Sequence, residues 1–178
     1  MTTIRVLFLV VVWLPTALAQ GDGMLPRWQV EELAAELVEN VETTTKVVIA
    51  LKPREWTQDG APASYVEQHA TLLAELEQVK LSVQALGRQP ERLSYAVETF
   101  LWLDRTDALL ASLSGGVRRY YNAAVADLLD SARNRNTDGI ATIKGYLRQL
   151  AVHVEQSMKV AHAEAQRCRS QIATQPAP

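Results

Sequence analysis

The sequence predicts an all-α protein, an antiparallel up-down-up-down bundle of four long helices. The first observation is the spacing of apolar residues, which recur every three or four positions, as they do on one face of an α-helix. The second is that proline and glycine fall between these stretches. The third is composition: 48% of the 178 residues are hydrophobic and one is cysteine, so packing must hold the domain together without internal disulfides.

Residues 1–19 have the layout of a secretory signal peptide. A short basic start containing Arg5 precedes an apolar run at 6–14, and Ala17 and Ala19 are the small residues that signal peptidase needs. The run is shorter than the ~20 residues that span a bilayer, so we expect cleavage and no transmembrane segment afterwards. An uncleaved N-terminal anchor is the alternative. The expected location is the periplasm or the extracellular space.

Residues 20–173 are predicted to form one helical-bundle domain, followed by a disordered tail at 174–178. Without residues 1–19 the chain has 17 basic and 20 acidic residues, a net charge of −3. Nucleic acid selects basic surfaces, so we expect no nucleic-acid partner.

The first helix is predicted at residues 27–51, because Pro53 disfavours the α conformation in the residue before it. Residues 52–61 are predicted to form a loop, since they contain the turn dipeptide Asp59-Gly60. The apolar stripe of this helix comprises Val30, Leu33, Leu37, Val41, Thr44, Val48 and Leu51.

The second helix is predicted to begin at Pro62 or at the capping box formed by Ser64 and Glu67, and to end before Gly87. Its apolar stripe comprises Tyr65, His69, Leu72, Leu76, Val79, Val83 and Leu86.

The third helix is predicted at residues 90–133, bent or split at Gly115-Gly116. Each glycine costs ~1 kcal/mol relative to alanine inside a helix, yet the pattern resumes in phase beyond the pair. Two separate helices are the alternative. Its apolar residues are Leu93, Val97, Phe100, Leu103, Leu110, Leu113, Val117, Tyr121, Val125 and Leu128.

A polar turn at 133–137 is predicted to precede a fourth helix at 137–172. Because the first two helices are shorter than the third, we expect residues 117–152 to project beyond them as a hairpin or to fold back. The stripe of the fourth helix comprises Ile140, Ile143, Leu147, Leu150, Val154, Met158, Ala161, Ala165, Cys168 and Ile172.

No catalytic, cofactor-binding or metal-ligating residue is predicted. The chain lacks the Glu-x-x-His and His-Glu-x-x-His patterns of helical metal sites, the Gly-x-Ser-x-Gly elbow and the phosphate loop. We therefore expect a protein that is not an enzyme and has no cofactor. The alternative is a periplasmic bundle that binds a small molecule, haem or a metal; non-covalent haem could use His69 or Met158 as a ligand.

A partner-binding surface is predicted at Arg118, Arg119, Tyr120 and Tyr121, together with Trp56. Guanidinium groups beside phenols and an indole can grip an anionic partner, a peptide or a glycan. The alternative is a helix that buries its tyrosine rings and exposes its arginines.

Cys168 has no partner within the chain, so it is either a buried thiol or an intermolecular disulfide. Its place on the apolar stripe favours burial.

Taken together, the sequence features predict an exported, non-catalytic protein with an interaction or structural role. The expected partner is protein, either a second copy or another exported protein.

Overall fold

The computed structural model of the protein describes residues 24–174, which are all-α. Within that range there are five helices and no strand: α1 (Arg27–Ile49), α2 (Pro53–Gln58), α3 (Ser64–Arg88), α4 (Leu93–Tyr120) and α5 (Ala123–Thr174). The predicted signal peptide at 1–19 and the tail beyond Thr174 lie outside the described residues. Thr174 itself belongs to α5, so the helix reaches the first residue of the predicted tail.

One hydrophobic core joins the helices. Helix α1 packs on α3 and α5, α3 packs on α4, α4 packs on α5, and the short α2 lies against α3. Full burial of one aliphatic side chain stabilises a fold by about 1.5–3 kcal/mol, so these contacts supply the main driving force. The largest fully buried side chains include Trp56, Leu37, Leu72, Leu76, Leu86, Leu110, Leu113, Leu129, Ile143 and Leu150.

Two hydrogen bonds hold the connection between α3 and α4 against α1 and α5. Arg27 at the start of α1 donates from Nη2 to the carbonyl oxygen of Arg88 at the end of α3, 3.1 Å away. The Tyr146 hydroxyl on α5 donates to the carbonyl oxygen of Pro90, just before α4, at 2.7 Å. Each bond supplies a donor to a carbonyl oxygen at or just after the end of α3, where no helix amide is in place to donate.

The apolar stripes predicted for α1 and α3 are confirmed as core-facing, with Val30, Leu37, Leu72 and Val83 each at most 1% exposed. The stripe predicted for the third helix is partly wrong. Val97 is 37% exposed, and the first half of α4 buries Ala96, Thr99 and Thr106 beside the predicted Leu103.

The prediction of a split at Gly115-Gly116 is wrong, while a bend there stays a prediction. Both glycines lie inside α4, which continues to Tyr120. The chain breaks at Tyr121-Asn122 instead, and Asn122 is the N-cap of α5. Its side-chain Oδ1 accepts hydrogen bonds from the amides of Ala124 and Val125, at 2.8 and 3.3 Å. These are the orphan amides that an N-cap side chain satisfies.

The predicted polar turn at 133–137 is also wrong, because α5 passes through it as helix. Arg133 donates two hydrogen bonds, each 3.0 Å long, to the carboxylate of Asp107 on α4. At Gly139 the backbone lies against the side chain of Leu37, where a Cβ would come within 2.6 Å of Leu37 Cδ2. Contacts with α4 and α1 therefore stabilise helix in a segment whose composition suggests a turn.

The predicted hairpin at 117–152 is not present. The inner part of α5, residues 123–150, lies against α4 and α1 and contributes buried residues as far as Leu150. The part that extends past the core is the end of α5 instead. The predicted loop at 52–61 likewise contains a helix, α2, whose Trp56 is 1% exposed.

Candidate functional site

The longest unbroken run of exposed residues between 24 and 174 lies in the outer segment of α5, which we define as residues 151–174. At ~1.5 Å per residue it is about 36 Å long, nearly half of the whole helix. Every residue from 155 to 173 is exposed, so within the described part of the chain no other helix covers it. The predicted bundle covers this segment along its whole length, so its projection is not a feature that the sequence pattern predicts.

An apolar row runs along the outer segment. We call it the outer stripe and define it as Met158, Ala161, Ala165, Cys168 and Ile172. Met158 is 68% and Ile172 72% exposed. The steps of three and four residues are those of a coiled-coil seam. The stripe continues the row of Leu147 and Val154, which pack against the core, so core and outer stripe share one face of α5.

Cys168 is an exposed thiol, so the expectation that it is buried is wrong. Its predicted position on the apolar face of the helix is confirmed, and only the burial inferred from that position is wrong. The face has no cover in residues 24–174, which periodicity alone does not reveal.

The predicted partner-binding residues come together as an aromatic cluster, which we define as Trp56, Tyr65, Tyr120 and Tyr121. Trp56 stacks on Tyr121 with ring centroids 5.9 Å apart and meets Tyr65 edge-on at 6.3 Å. Tyr65 in turn contacts Tyr120 at 6.0 Å. Tyr65 was assigned to the core stripe rather than to this site. Offset and edge-on pairs of this kind stabilise a fold beyond their buried area.

Trp56 is the buried member of the aromatic cluster, since only 1% of it is exposed. Its Nε1 is buried and has no hydrogen-bond partner among the described residues. Tyr121 is 54% exposed, so it offers the accessible ring. A partner at this end of the molecule would therefore meet Tyr121 and not the indole.

The two arginines of the predicted surface differ in their surroundings. Arg118 donates from Nη2 to Asp127 at 2.7 Å and to Asp130 at 2.9 Å. The hydrogen bond to Asp127 is the main reason that the pKa of Arg118 is raised. Its charge is thus balanced within the chain. Arg119 is exposed and lies over the Tyr120 ring, 5.3 Å from the centroid.

The two ligands considered for haem are not brought together. His69 Nε2 lies 2.8 Å from the carbonyl oxygen of Val48 near the end of α1. A carbonyl only accepts, so this nitrogen carries hydrogen and donates. Met158 lies on the outer segment, beyond the opposite end of the core. Residues 24–174 contain no group of three or more His, Cys, Asp or Glu side chains that could hold a metal ion.

A buried carboxylate was missed in the sequence. Glu75 is 4% exposed and pairs with the guanidinium of Arg105 on α4, whose side chain is 64% exposed. Buried polar oxygens of Thr106 and Asn136 lack hydrogen-bond partners within the described residues. The signal was present, because Glu75 is three positions after Leu72 and four before Val79, on the apolar face of α3.

No protein-family model matches the chain, and no characterised protein or solved structure shows significant similarity to it. Across residues 24–174, no helix has both the length and the apolar character that crossing a membrane requires.

Proposed function

We propose that the protein is an exported, non-catalytic scaffold that binds another protein through the outer segment of α5. In this proposal α1, α3, α4 and the inner part of α5 are the four members of an antiparallel bundle, which anchors the outer segment. The observation that carries the proposal is the outer stripe, an apolar face without cover in the described residues.

The energetics of an isolated helix support this role. Most of the stability of a protein helix comes from tertiary packing of its apolar face, and a helix without such packing is marginal in water. Residues 155–173 have no such packing within the described chain. A partner laid along the outer stripe would supply it, and would remove Met158 and Ile172 from water.

Export is supported by the sequence of residues 1–19, with its basic start, apolar run and small residues before the predicted cleavage point. The partner is then expected in the periplasm or outside the cell. The net charge of −3 for residues 20–178 argues for a protein partner over nucleic acid.

Site-specific photo-crosslinking in the native host tests the proposal. A photoreactive amino acid replaces Met158 on the outer stripe, and in a matched variant it replaces Ala163, which is exposed on the opposite face of the same helix. We expect discrete protein adducts from position 158 and few from position 163. Equal labelling from both faces would contradict the proposal.

Export is tested separately by N-terminal sequencing of the protein recovered from the periplasm or the medium. We expect the chain to begin at Gln20. Recovery of the protein only from the cytoplasm, with Met1 or Thr2 at its start, would contradict this part of the proposal.

A further inference from the structure

We propose that the partner of the outer segment is a second copy of this chain, paired with the first in antiparallel orientation along the outer stripe. This inference rests on the proposed function, in which the outer segment is the binding surface. Three properties of α5 select the partner and its orientation: the side on which its own core lies, the charges beside the stripe and the length of the segment.

The first property excludes a parallel pair. Leu147 and Val154 pack against the core on the same face of α5 that carries the outer stripe. Paired helices lie about 8–10 Å apart. In a parallel pair the inner part of the second α5 would therefore occupy the space of α1 and α4. An antiparallel pair instead places the second core at the far end of the outer segment, where no described residue stands in the way.

The second property is charge, which selects the register. Antiparallel seams place a residue of one heptad type opposite the other type. In one such register Met158 faces Cys168 of the second copy, and Ala161 faces Ala165. Glu155 directly follows Val154, and Arg169 directly follows Cys168, so both charges lie on the same edge of the apolar face. This register sets Glu155 of one copy opposite Arg169 of the other.

By symmetry the pair of oppositely charged residues occurs twice. On the other edge the two copies of Glu164 meet near the two-fold axis, which gives one repulsive contact against two attractive ones. The register that brings the two cores one heptad closer together would set Arg148 opposite Arg169, two like charges, in place of the Glu155–Arg169 pair. The charges therefore favour the first register.

The third property is length. In the favoured register Thr174 of one copy lies level with Val152 of the other. Within the described residues α5 reaches Thr174, and the last buried residue of the inner part is Leu150. Each helix would thus end where the core of the other copy begins. The register chosen by charge alone is also the one in which the two outer segments overlap along their whole length.

Disulfide trapping tests the pairing in protein that begins at Gln20. The variant Met158→Cys adds a thiol that faces the native Cys168 of the second copy. Positions 158 and 168 of one helix are about 15 Å apart along its axis, too far for an internal disulfide, so any bond joins two chains. We expect mild oxidation to convert Met158→Cys into a covalent dimer, while wild type and the matched variant Val160→Cys stay largely monomeric in denaturing gels.

Two results would overturn the inference at this stage. Rapid dimerisation of wild type through Cys168 alone would indicate a parallel seam. Equal crosslinking of Met158→Cys and Val160→Cys would indicate random collision.

A charge exchange gives an independent readout by sedimentation equilibrium. Glu155→Arg and Arg169→Glu each replace two attractive contacts of the dimer by repulsive ones, so we expect each to raise its dissociation constant about tenfold or more. The double variant should restore it towards the wild-type value. These side chains are exposed, so folding is not at risk, and circular dichroism verifies helix content. Failure of the double variant to recover would overturn the proposed register.

The outcomes separate this inference from the proposed function. Wild-type protein that stays monomeric at all concentrations, while position 158 crosslinks to a different protein, overturns self-pairing and leaves the scaffold proposal intact. Dimerisation only when residues 1–19 are retained assigns the association to the apolar N-terminal segment and also overturns the inference. Dimerisation of the protein that begins at Gln20, with position 158 crosslinked to a second copy, supports both.

Discussion

The ring of Tyr65 lies directly on the backbone of Gly116, so that a Cβ atom at position 116 would lie 2.5 Å from Tyr65 Cε1. Gly115, its neighbour in sequence, has nothing within 4 Å of the same position. Of the two glycines that suggest a hinge in the sequence, one lies against an aromatic ring and the other faces open space. Only Gly116 is required by the packing of α3 on α4.

These two glycines give the first prediction. Gly116→Ala forces the Tyr65 ring to move and is expected to lower the free energy of unfolding by about 1–3 kcal/mol. Gly115→Ala is the matched control and is expected to raise it by up to ~1 kcal/mol, because alanine is the better helix former. Urea denaturation of both variants measures the difference. Equal effects of the two substitutions would contradict this account of Gly116.

The second prediction concerns the start of α5. Asn122→Ala removes the acceptor for the amides of Ala124 and Val125 and is expected to cost about 1 kcal/mol of stability. Asn122→Ser keeps an N-cap oxygen and should lose much less. Thermal or chemical denaturation compares the two. If both variants were as stable as wild type, Asn122 would not be the N-cap that the hydrogen bonds describe.

The third prediction concerns the pair of Glu75 and Arg105. Arg105→Met leaves the buried carboxylate without its cation and is expected to destabilise by about 2 kcal/mol. Adding Glu75→Leu should recover most of that loss, since it replaces a buried charge by an apolar group. The control is Lys52→Met, which breaks an exposed pair with Glu55 and should cost less than ~1 kcal/mol. If Glu75→Leu lowered the stability of the Arg105→Met variant further, the buried charge would not be the cause of the loss.

The fourth prediction is a pH dependence. The hydrogen bond from Ser114 Oγ, 2.7 Å from Asp130 Oδ1, is the largest cause that holds the pKa of Asp130 below its usual value. A carboxyl with a lowered pKa in the folded state contributes stability that is present above its unfolded pKa of about 3.9. That stability is lost as the pH falls through the lower, folded pKa.

Asp130→Asn is therefore expected to flatten the acid side of the stability profile below about pH 5. The loss at neutral pH should not exceed ~1 kcal/mol, because the side chain is 39% exposed. Asp127→Asn keeps the bond between Ser114 and Asp130 and is the control. Urea denaturation at a series of pH values gives the profiles, and an unchanged acid limb in Asp130→Asn would contradict the prediction.

Sequence periodicity predicted α1 and α3 well because each has one apolar face and clear signals at its ends. It failed from residue 115 onward, where local signals and packing disagree. Gly116 and Gly139 weaken a helix locally, yet each is held in helix by a side chain from another helix, Tyr65 and Leu37. Asn122 is a residue type that favours the N-cap, but it lies between Tyr121 and Val125 of an apolar pattern that continues on both sides.

In the candidate sites, too, the sequence predicts which residues share a face but not whether that face is buried or exposed. The sequence singled out Trp56 and Tyr121, and the structure stacks them, but only the fold shows that Tyr121 covers the indole. The stripe through Met158 and Cys168 was correctly identified as one helix face. Its exposure depends on how far α1 and α4 reach along α5, and no local pattern in the sequence encodes that distance.

The continuity of α5 across the edge of the core has a mechanical consequence. The same unbroken ladder of backbone hydrogen bonds runs from Asn122 to the projecting end, with no joint at which the outer half could swing independently. When a partner stabilises the outer segment as helix, a pull or a twist applied near Ile172 is transmitted through this ladder to Leu150 and Ile143. The buried inner part of α5 would then resist tension that a bound partner applies to the outer segment.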